Sequence, residues 1–441
     1  MGGRASSDPA MKHLVICLDG TWSDGDGPAP QTNIALLAGM IDPKPPGGPE
    51  QRVYYDAGVG TGGLLDRIAG GAFGRGVSAN VLAAYRFLSQ FYAPGDNVYV
   101  FGYSRGAYTA RSLCGFLAAS GLLTQDNCNE ANQAFAWSYY RTPPKARFPA
   151  DRARLARITH VPEPRIRFLG AFDTVGALGI PRGFMSRLAR RAVEFHDTDV
   201  SSVVDHSCQA LAIDEHRAEF EAAVWTEPRH RKYATVEQAW FPGSHADVGG
   251  GCADCGLSDL ALEWMLKRLQ RHCPELALSP VEAWPRPLKP DYRGRIHDGR
   301  GWLFVRSRWR PLVRLINRCP PGSRRCRLPA VRPHSRPIGE MVHWSALARW
   351  QETKAARRRR QRYQPRNLLA AIESVQRNLT PVVGVDGEPT SLMGLHAGGA
   401  APAAREPELS AAPSPPPAPP RLPAGNGSAR AGNGAGPRLP E

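Results

Sequence analysis

A serine set between two glycines is the strongest chemical signal in this chain. Ser104 lies in the pattern Gly102-x-Ser104-x-Gly106, with the apolar run Val98–Phe101 before it and the helix-compatible run Ala107–Leu117 after it. The order strand, sharp turn, helix is the setting of a nucleophile elbow, in which the turn tolerates only small residues near the serine. The pattern therefore predicts a nucleophilic Ser104 supported by Gly102 and Gly106. The alternative is an ordinary glycine-rich turn whose serine caps the helix.

An aspartate and a histidine later in the chain could complete the chemistry. A nucleophilic serine needs a base, and the base needs an orienting carboxylate. Asp173 directly follows the strand-like run Ile166–Phe172, and His245 comes shortly after the run Val236–Phe241. In proteins with a parallel α/β sheet, catalytic groups lie at the carboxyl ends of the strands. Where the nucleophile is a serine in an elbow of this kind, the chain order is Ser, then Asp or Glu, then His. We therefore predict that Ser104, Asp173 and His245 form a catalytic triad.

Each partner has a second interpretation. Asp173 could be a loop residue that bonds its own backbone, as in Asx turns. Asp247 lies two residues from His245, so it could orient a loop or replace Asp173 as the acid. His245 could also be a structural histidine near a metal, because four potential ligands follow it closely: Asp247, Cys252, Asp254 and Cys255.

Neither a metal nor a cofactor is expected. The C-x-x-C at Cys252–Cys255 has no second C-x-x-C and no H-x-x-x-H to complete a zinc site. The glycine-rich segment Gly58–Gly63 lacks the Lys-Ser/Thr ending of a phosphate-binding loop. A mobile loop at the rim of the site is the better interpretation of that segment.

The oxyanion of an ester reaction needs two backbone donors. One should be the N–H of Arg105, the residue after the nucleophile. The other should come from the loop after the first strand, where Gly20 allows a close backbone approach and Thr21 follows it. Asp19 is expected either to anchor this loop through its backbone or to contact the Arg105 guanidinium.

Strand and helix patterns alternate along the chain, which predicts an α/β fold: a mostly parallel, doubly wound sheet with helices on both faces. The expected strands besides the elbow strand are His13–Leu18, Arg52–Tyr55, Ile166–Phe172 and Val236–Phe241. The expected helices besides the elbow helix are Thr32–Ile41, Val77–Phe91, Asn129–Tyr140, Val203–Ile213 and a segment from Ser258, its N-cap, to Leu269.

Length and composition are those of a globular chain. The sequence has 441 residues, of which 42% are hydrophobic, and this argues against a fibrous or wholly disordered protein. We expect a ragged leader at residues 1–11, a catalytic domain at residues 12–397 and a disordered tail at residues 398–441. The tail is dominated by Ala, Pro, Gly and Ser, which cannot build a core.

The formal charge of +16 favours anionic partners and is concentrated in an Arg-rich insert at about residues 286–366. Within it, aromatic and aliphatic residues alternate with arginine over Gly301–Arg318, as in segments that lie on anionic lipid interfaces. Arg357–Arg360 is a run of four arginines. Peripheral membrane contact and a solvated basic insert both remain open. Nucleic acid is not favoured, because no nucleic-acid-binding motif accompanies the charge.

The expected compartment is the cytoplasm. Nine cysteines, an odd number spread through apolar elements as well as loops, do not resemble a disulfide framework. The first ten residues lack the apolar core of a signal peptide, and no run has the length of a membrane span. Export by a route that needs no cleavable signal stays open.

Five motifs in order resemble a known family. They are L-D-G-T-W from Leu18, Y-x-x-G-V-G-T-G from Tyr55, G-Y-S-R-G-A from Gly102, F-D-T-V-G from Phe172 and W-F-P-G-S-H-A-D-V-G-G-G from Trp240. Together, over about residues 12–270, they look like the α/β-hydrolase domain of type VI secretion phospholipase effectors and related uncharacterised bacterial proteins. The resemblance implies an α/β-hydrolase-like fold, a triad of Ser104, Asp173 and His245, and esterase or phospholipase A activity.

The leading hypothesis from sequence is a serine hydrolase that cleaves a carboxylic ester, with a lipid or phospholipid as the favoured substrate. Two alternatives remain. The chain could be a non-catalytic scaffold of the same fold that binds an anionic partner through its Arg-rich region. It could also transfer the acyl group to an alcohol or amine instead of water.

Overall fold

The computed structural model describes residues 11–20, 30–58, 72–175, 200–217, 220–226, 235–299, 311–317, 338–354, 362–377 and 380–391. The chain divides into two compact units, Met1–Ala404 and Arg405–Glu441, and all of the described residues belong to the first. The predicted tail and, except for Met11, the predicted leader lie outside the described residues. The domain boundaries drawn from the sequence therefore stay predictions.

One sheet of nine strands runs through the described part of the chain in the order β2-β1-β3-β4-β5-β6-β7-β8-β9. All neighbouring strands are parallel except β8 and β9. The strands are β1 His13–Leu18, β2 Gln51–Asp56, β3 Asn97–Tyr103, β4 Ile166–Phe172, β5 Val204–Ala212, β6 Thr235–Phe241, β7 Glu340–His343, β8 Val382–Val383 and β9 Pro389–Thr390.

The strand order creates a switch point between β1 and β3. The chain leaves β1 for β2 on one side and returns to β3 on the other side, so the connections diverge there. In open parallel sheets, ligands bind in the crevice outside the carboxyl ends of the strands at such a point. The expected α/β fold with a mostly parallel, doubly wound sheet is confirmed.

The described residues also form nine α-helices. They are α1 Asn33–Met40, α2 Ala72–Phe91, α3 Arg105–Ser120, α4 Glu130–Arg141, α5 Pro149–Ile158, α6 His245–Gly249, α7 Gly256–His272, α8 Trp344–Lys354 and α9 Arg366–Gln376. Short 3₁₀ turns lie at Gln125–Asn127, Pro144–Ala146 and Val281–Ala283. Within the described ranges, no helix is both long enough and apolar enough to cross a membrane.

Both faces of the sheet are covered by helices. On one face, Ile16 of β1 belongs to a buried cluster with Leu88 of α2 and Phe116 of α3. On the other face, Gly170 of β4 lies so close to Met265 of α7 that a Cβ at this glycine would be 3.0 Å from the sulfur. Because side chains alternate across a strand, this arrangement buries β1 and β4 on two sides.

The prediction of a helix over Val203–Ile213 is wrong, since the segment forms β5, Val204–Ala212. This strand lies between β4 and β6 and its last six residues are buried. A strand buried on both faces has no alternation of apolar and polar residues, so its sequence can be confused with a buried helix. The Ala, Leu and Gln content of the segment favours a helix locally, and the pairing with two neighbours overrides that preference.

Ser258 is not the N-cap of its helix. The cap of α7 is Cys255, and Ser258 lies inside the first turn, where its Oγ donates to the Cys255 carbonyl at 3.0 Å. Thr32 and Asn129 do cap α1 and α4, because each side chain accepts a hydrogen bond from a backbone amide of the first turn.

A second apolar cluster holds the C-terminal part of the sheet. Leu211 of β5 and Trp240 of β6 pack there with buried residues of α8 and α9, including Leu347 and Leu368. The sequence patterns did not predict these two helices or the strands β7 to β9.

Candidate active site

Ser104 lies in a sharp turn between β3 and α3. Its φ of 56° and ψ of −118° are unusual for a residue with a side chain, and only 3% of the residue is exposed. The backbone holds this conformation from both sides, because Ser104 N donates to the Phe172 carbonyl at 3.0 Å and Tyr108 N donates to the Ser104 carbonyl at 3.2 Å. The turn therefore has the strained geometry that a nucleophile elbow requires.

Two glycines make this turn possible. A Cβ at Gly106 would lie 2.0 Å from the Leu18 carbonyl oxygen, and one at Gly102 would lie 2.5 Å from the Gly106 carbonyl oxygen. The start of α3 therefore packs with its backbone directly against the end of β1. These two contacts explain why the residues two before and two after Ser104 must be small.

We expect Gly106→Ala to destabilise the fold by about 3 kcal/mol or more, because the added methyl group would overlap backbone that cannot rotate away. Urea unfolding of the variant measures the loss. Gly115→Ala on the same helix is the matched control, since a Cβ there would be 3.2 Å from the nearest atom, the Tyr140 hydroxyl. Equal stability of the two variants would contradict the steric explanation.

His245 is the first residue of α6 and is completely buried. Its ring lies between two aromatic side chains, with centroid distances of 4.8 Å to Tyr103 and 4.9 Å to Phe220. Its backbone is also held, because Tyr103 Oη donates to the His245 carbonyl at 3.3 Å. The ring is thus fixed by packing.

Asp173 follows β4 and carries a φ of 42°. Its amide donates to the Ala210 carbonyl at 2.8 Å, and its Oδ1 accepts from Ala212 N at 2.9 Å. Both partners belong to β5, so the neighbouring strand fixes the carboxylate. The Asx-turn alternative does not describe these contacts.

The three predicted residues form one hydrogen-bonded chain. His245 Nε2 lies 2.8 Å from Ser104 Oγ, and His245 Nδ1 lies 2.6 Å from Asp173 Oδ2. Burial lowers the pKa of His245 below its ordinary 6.5, and the Asp173 carboxylate opposes this shift. The imidazole is therefore neutral near pH 7, with one nitrogen able to accept a proton from the serine.

The predicted oxyanion donors are only partly brought to Ser104. Arg105 is the first residue of α3, and amides of a first helical turn point out of the N-terminal end. Gly20 packs against Ser104, since a Cβ there would be 3.2 Å from the serine Cβ. However, Gly20 N donates to its neighbour Asp19 Oδ1 at 2.6 Å. Thr21 lies outside the described residues.

Asp19 anchors the loop after β1. Its Oδ2 accepts from Thr32 Oγ1 at 2.5 Å and from Tyr55 Oη at 2.8 Å. Burial raises the pKa of this carboxyl, and the same hydrogen bonds partly oppose the shift. Asp19 thus connects the loop to the start of α1 and to β2 through side chains, and its bond to the loop backbone is the one from Gly20 N.

Asp247 forms hydrogen bonds within the loop that carries His245. Its Oδ2 accepts from Ser244 N at 2.8 Å and from Ser244 Oγ at 3.0 Å. The other carboxylate oxygen lies 2.5 Å from His297 Nδ1. Asp247 therefore fixes the start of α6, and the carboxylate bonded to His245 Nδ1 is that of Asp173.

Donor atoms suitable for a metal come together in two places among the described residues. Those of Asp247, Cys252 and His297 lie within 4.8 Å of one another, as do those of Cys208, Glu237 and His272. Asp254 and Cys255 from the predicted cluster are in neither group; Asp254 Oδ2 accepts from Arg295 N at 3.0 Å. In each group the carboxylate is already paired, with His297 in the first and with Arg268 in the second.

Sequence reasoning missed a buried ion pair beside His245. Glu215 Oε2 accepts from His245 N at 3.3 Å and lies 2.8 Å from Arg217 Nη2. The guanidinium of Arg217 lies 3.5 Å from the centre of the Phe220 ring. These residues follow β5 directly, and the incorrect assignment of that segment as a helix hid their position at a strand end.

Arg314 was also missed. Its guanidinium binds both carboxylate oxygens of Asp173, with Nη1–Oδ1 at 2.6 Å and Nη2–Oδ2 at 2.9 Å. The residue is 4% exposed, although it comes from the insert that the sequence suggested to be solvated or lipid-bound. One arginine among many carries no signal in the sequence, and Arg310 and Arg318 nearby look equivalent to it.

The fold and the site together define an α/β protein with a hydrogen-bonded Ser-His-Asp arrangement at the switch point of a parallel sheet. The family model for the catalytic domain of type VI secretion system phospholipase effectors of the Tle1-like kind matches residues 12–268. The chain belongs to this family. Ser104, Asp173 and His245 all lie inside the matched stretch, and Arg314 lies beyond it.

Individual proteins are also similar to parts of the chain. The uncharacterised protein YEL023C of Saccharomyces cerevisiae is 30% identical over an alignment of 250 residues, and the match covers 51% of this chain and 35% of the yeast protein. The chain therefore spans about a third of the length of that relative.

Two solved structures are also similar. An uncharacterised protein from Pseudomonas aeruginosa has a TM-score of 0.38 and 17% identity over 64% of this chain and 48% of its own. The Tle1 effector bound to the VgrG spike of the type 6 secretion system has a TM-score of 0.34 and 20% identity. That match covers 57% of this chain and 55% of the effector.

Proposed function

We propose that this protein is a serine hydrolase that cleaves carboxylic esters of lipids, with phospholipids as the favoured substrates. The observation that carries the proposal is the chain Ser104 Oγ, His245 Nε2 and Nδ1, Asp173 Oδ2, with distances of 2.8 and 2.6 Å. The unusual backbone of Ser104 supports it further, because strain of this kind persists where it serves a reaction.

In the proposed reaction, Ser104 Oγ attacks the ester carbonyl carbon while its proton passes to Nε2 of His245. Asp173 holds the proton on Nδ1 and stabilises the imidazolium that forms. His245 then protonates the departing alcohol oxygen, which leaves the acyl group on Ser104. A water molecule attacks this acyl-enzyme in the same way, so that the carboxylic acid is released and Ser104 regains its proton.

The negative oxygen of the tetrahedral intermediates needs donors. The N–H of Arg105 is our first candidate, because the N-terminal end of α3 also favours negative charge. For the second donor we retain the loop after β1. In the described conformation, Gly20 N must exchange its bond to Asp19 for the oxyanion, or Thr21 must supply the amide.

Membership of a phospholipase effector family supports a lipid ester as the substrate. In its described part, the basic insert supports membrane contact less well than its composition suggested, while residues 301–310 and the run Arg357–Arg360 lie outside the described residues. Three of its described arginines are ion-paired with acids: Arg286 with Asp259, Arg293 with Glu352, and Arg314 with Asp173. We therefore base the proposal on the ester chemistry. We do not adopt the scaffold alternative, because it gives the strained, buried Ser104 no role.

Product analysis tests the substrate class and the reaction together. The purified protein is incubated with vesicles of phosphatidylethanolamine and phosphatidylglycerol in ¹⁸O-labelled water, and lipids are identified by mass spectrometry. We expect lysophospholipid and a fatty acid that carries one ¹⁸O. Release of a phosphorylated head group would contradict the proposal, and an acyl chain found on an added alcohol without ¹⁸O would favour acyl transfer.

The pH dependence of kcat/KM should follow the neutral form of His245. Because burial lowers the pKa of His245, the acid limb should have its midpoint below 6.5, with a plateau at neutral pH. Rates on a soluble short-chain ester between about pH 4 and pH 8 give the midpoint. A midpoint above 7 would show that a different group accepts the proton.

A further inference from the structure

Arg314 is the charge partner of the candidate triad acid. Besides its two contacts with Asp173, its Nη1 donates to the Ala212 carbonyl at 2.9 Å and its Nη2 to the Phe220 carbonyl at 2.6 Å. Its side chain is 1% exposed and that of Asp173 is 0% exposed. The guanidinium is thus placed by four bonds in a dry environment, where an ion pair is weakly screened.

The segment that carries Arg314 is fixed to the rest of the fold. Leu312 N donates to the His216 carbonyl at 2.9 Å, and His216 Nδ1 lies 3.0 Å from the Leu312 carbonyl oxygen. On the other side, Asn317 N donates to Glu340 of β7 at 3.1 Å. The segment therefore forms a strap from the carboxyl ends of β4 and β5, where Arg314 contacts Asp173, to the first residue of β7.

The charges around the carboxylate explain what this contact does. Burial alone would raise the pKa of Asp173, but the Arg314 guanidinium and the His245 hydrogen bond hold it well below its usual range. Asp173 Oδ2 is shared, since it accepts from both His245 Nδ1 and Arg314 Nη2. A positive charge at this oxygen reduces the attraction of the carboxylate for a proton on the imidazole.

We propose that Arg314 is a positioning residue that holds the Asp173 carboxylate against His245 and sets the pH range in which His245 can accept the serine proton. This inference rests on the proposed function, in which Ser104 and His245 react. It also makes the strap part of the site, although residues 311–317 lie outside the stretch matched by the family.

Several charged groups face His245, and their signs give the expected direction. Asp173 and Glu215 favour the protonated ring, whereas Arg217 disfavours it. Tyr103 packs against the ring with an interplanar angle of 31°, and burial raises the pKa of its hydroxyl, which therefore stays neutral. Because Arg314 neutralises Asp173, its removal should let the His-Asp pair hold a proton more tightly. The acid limb of activity should then move to higher pH.

Two substitutions separate charge from geometry. Arg314→Gln keeps donors but removes the charge, and we expect it to raise the midpoint of the acid limb by about one pH unit. Arg314→Lys keeps the charge but loses the two-pronged contact, so the midpoint should stay near that of the wild type while the plateau rate falls about tenfold. The rate is that of Ser104 labelling by a fluorophosphonate probe as a function of pH.

Arg286 provides the matched control. Its guanidinium forms the same kind of fork with the buried Asp259 of α7, at 2.6 and 2.8 Å. Arg286→Gln should lower the melting temperature without moving the acid limb. If Arg314→Gln fails to fold, Arg314→Lys compared with Arg286→Lys carries the test, because only the former should lose labelling rate.

The outcomes are distinguishable from failure of the proposed function. The downfield ¹H NMR signal of the His245 Nδ1 proton, followed against pH in the Ser104→Ala background, titrates without any catalysis. A raised midpoint in Arg314→Gln supports the inference, and an unchanged midpoint with wild-type labelling overturns it. If the folded wild type shows no labelling at Ser104 while the NMR midpoint still moves, the proposed function fails and the charge coupling stands.

Discussion

Ser104→Ala should abolish covalent labelling by a fluorophosphonate probe and reduce ester hydrolysis by about 10⁴- to 10⁶-fold. The expected loss is this large because the hydroxyl oxygen is the atom that bonds to the acyl group, and no neighbouring side chain can replace it. Gel-based labelling of the purified protein and kcat on a soluble ester measure the two effects. The melting temperature should change little, since alanine fits the space and takes the same backbone.

A second serine gives the matched control for this loss. Ser112 lies on α3, is 2% exposed and donates its hydroxyl proton to the Tyr108 carbonyl at 2.9 Å. Ser112→Ala should therefore keep both labelling and hydrolysis. If Ser104→Ala retains esterase activity, or if both variants lose labelling equally, the assignment of Ser104 as the nucleophile is wrong.

Asp173→Asn should lower kcat by about 10⁴-fold. The amide can present an N–H group to His245 Nδ1 and so favour the tautomer whose Nε2 already carries a proton, which cannot accept one from Ser104. The same substitution leaves the buried Arg314 without its counterion, so unfolding should become easier by about 3 kcal/mol or more. Kinetics on a soluble ester and urea unfolding separate the two losses.

Asp259→Asn is the control for the loss of stability in Asp173→Asn. It breaks the ion pair between Arg286 and Asp259, which is not part of the triad. We expect it to lose stability while keeping kcat within a few-fold of the wild type. A similar fall in kcat for both variants would mean that general destabilisation explains the kinetic effect, and the role assigned to Asp173 would then be unsupported.

The site was predictable from sequence where local chemistry alone determines it. The elbow needs small residues around Ser104, and that steric rule is visible in five consecutive letters. Asp173 and His245 were predictable because each comes soon after an apolar run, and carboxyl ends of parallel strands meet at one edge. The first, third and fourth strands are apolar and short, so their bounds were also close to those observed.

The parts that could not be predicted depend on contacts between distant segments. β5 takes its conformation from pairing with β4 and β6, which its own composition does not encode. The same error displaced Glu215 and Arg217 from the edge where they contact His245. Arg314 is 141 residues from Asp173 in the sequence, and nothing in its neighbourhood distinguishes it from the other arginines of the insert.

The sheet continues well past residue 268, where the family match ends. A shorter expression fragment cut at that boundary would leave β6 as a bare edge strand, because Gln238 N donates to the Gly339 carbonyl at 2.7 Å in the intact fold. Unpaired edges recruit other chains and promote aggregation. The fragment would also contain Asp173 without Arg314. Recombinant work on the catalytic unit should therefore retain residues up to at least 391, and poor solubility of shorter pieces would be a property of the cut.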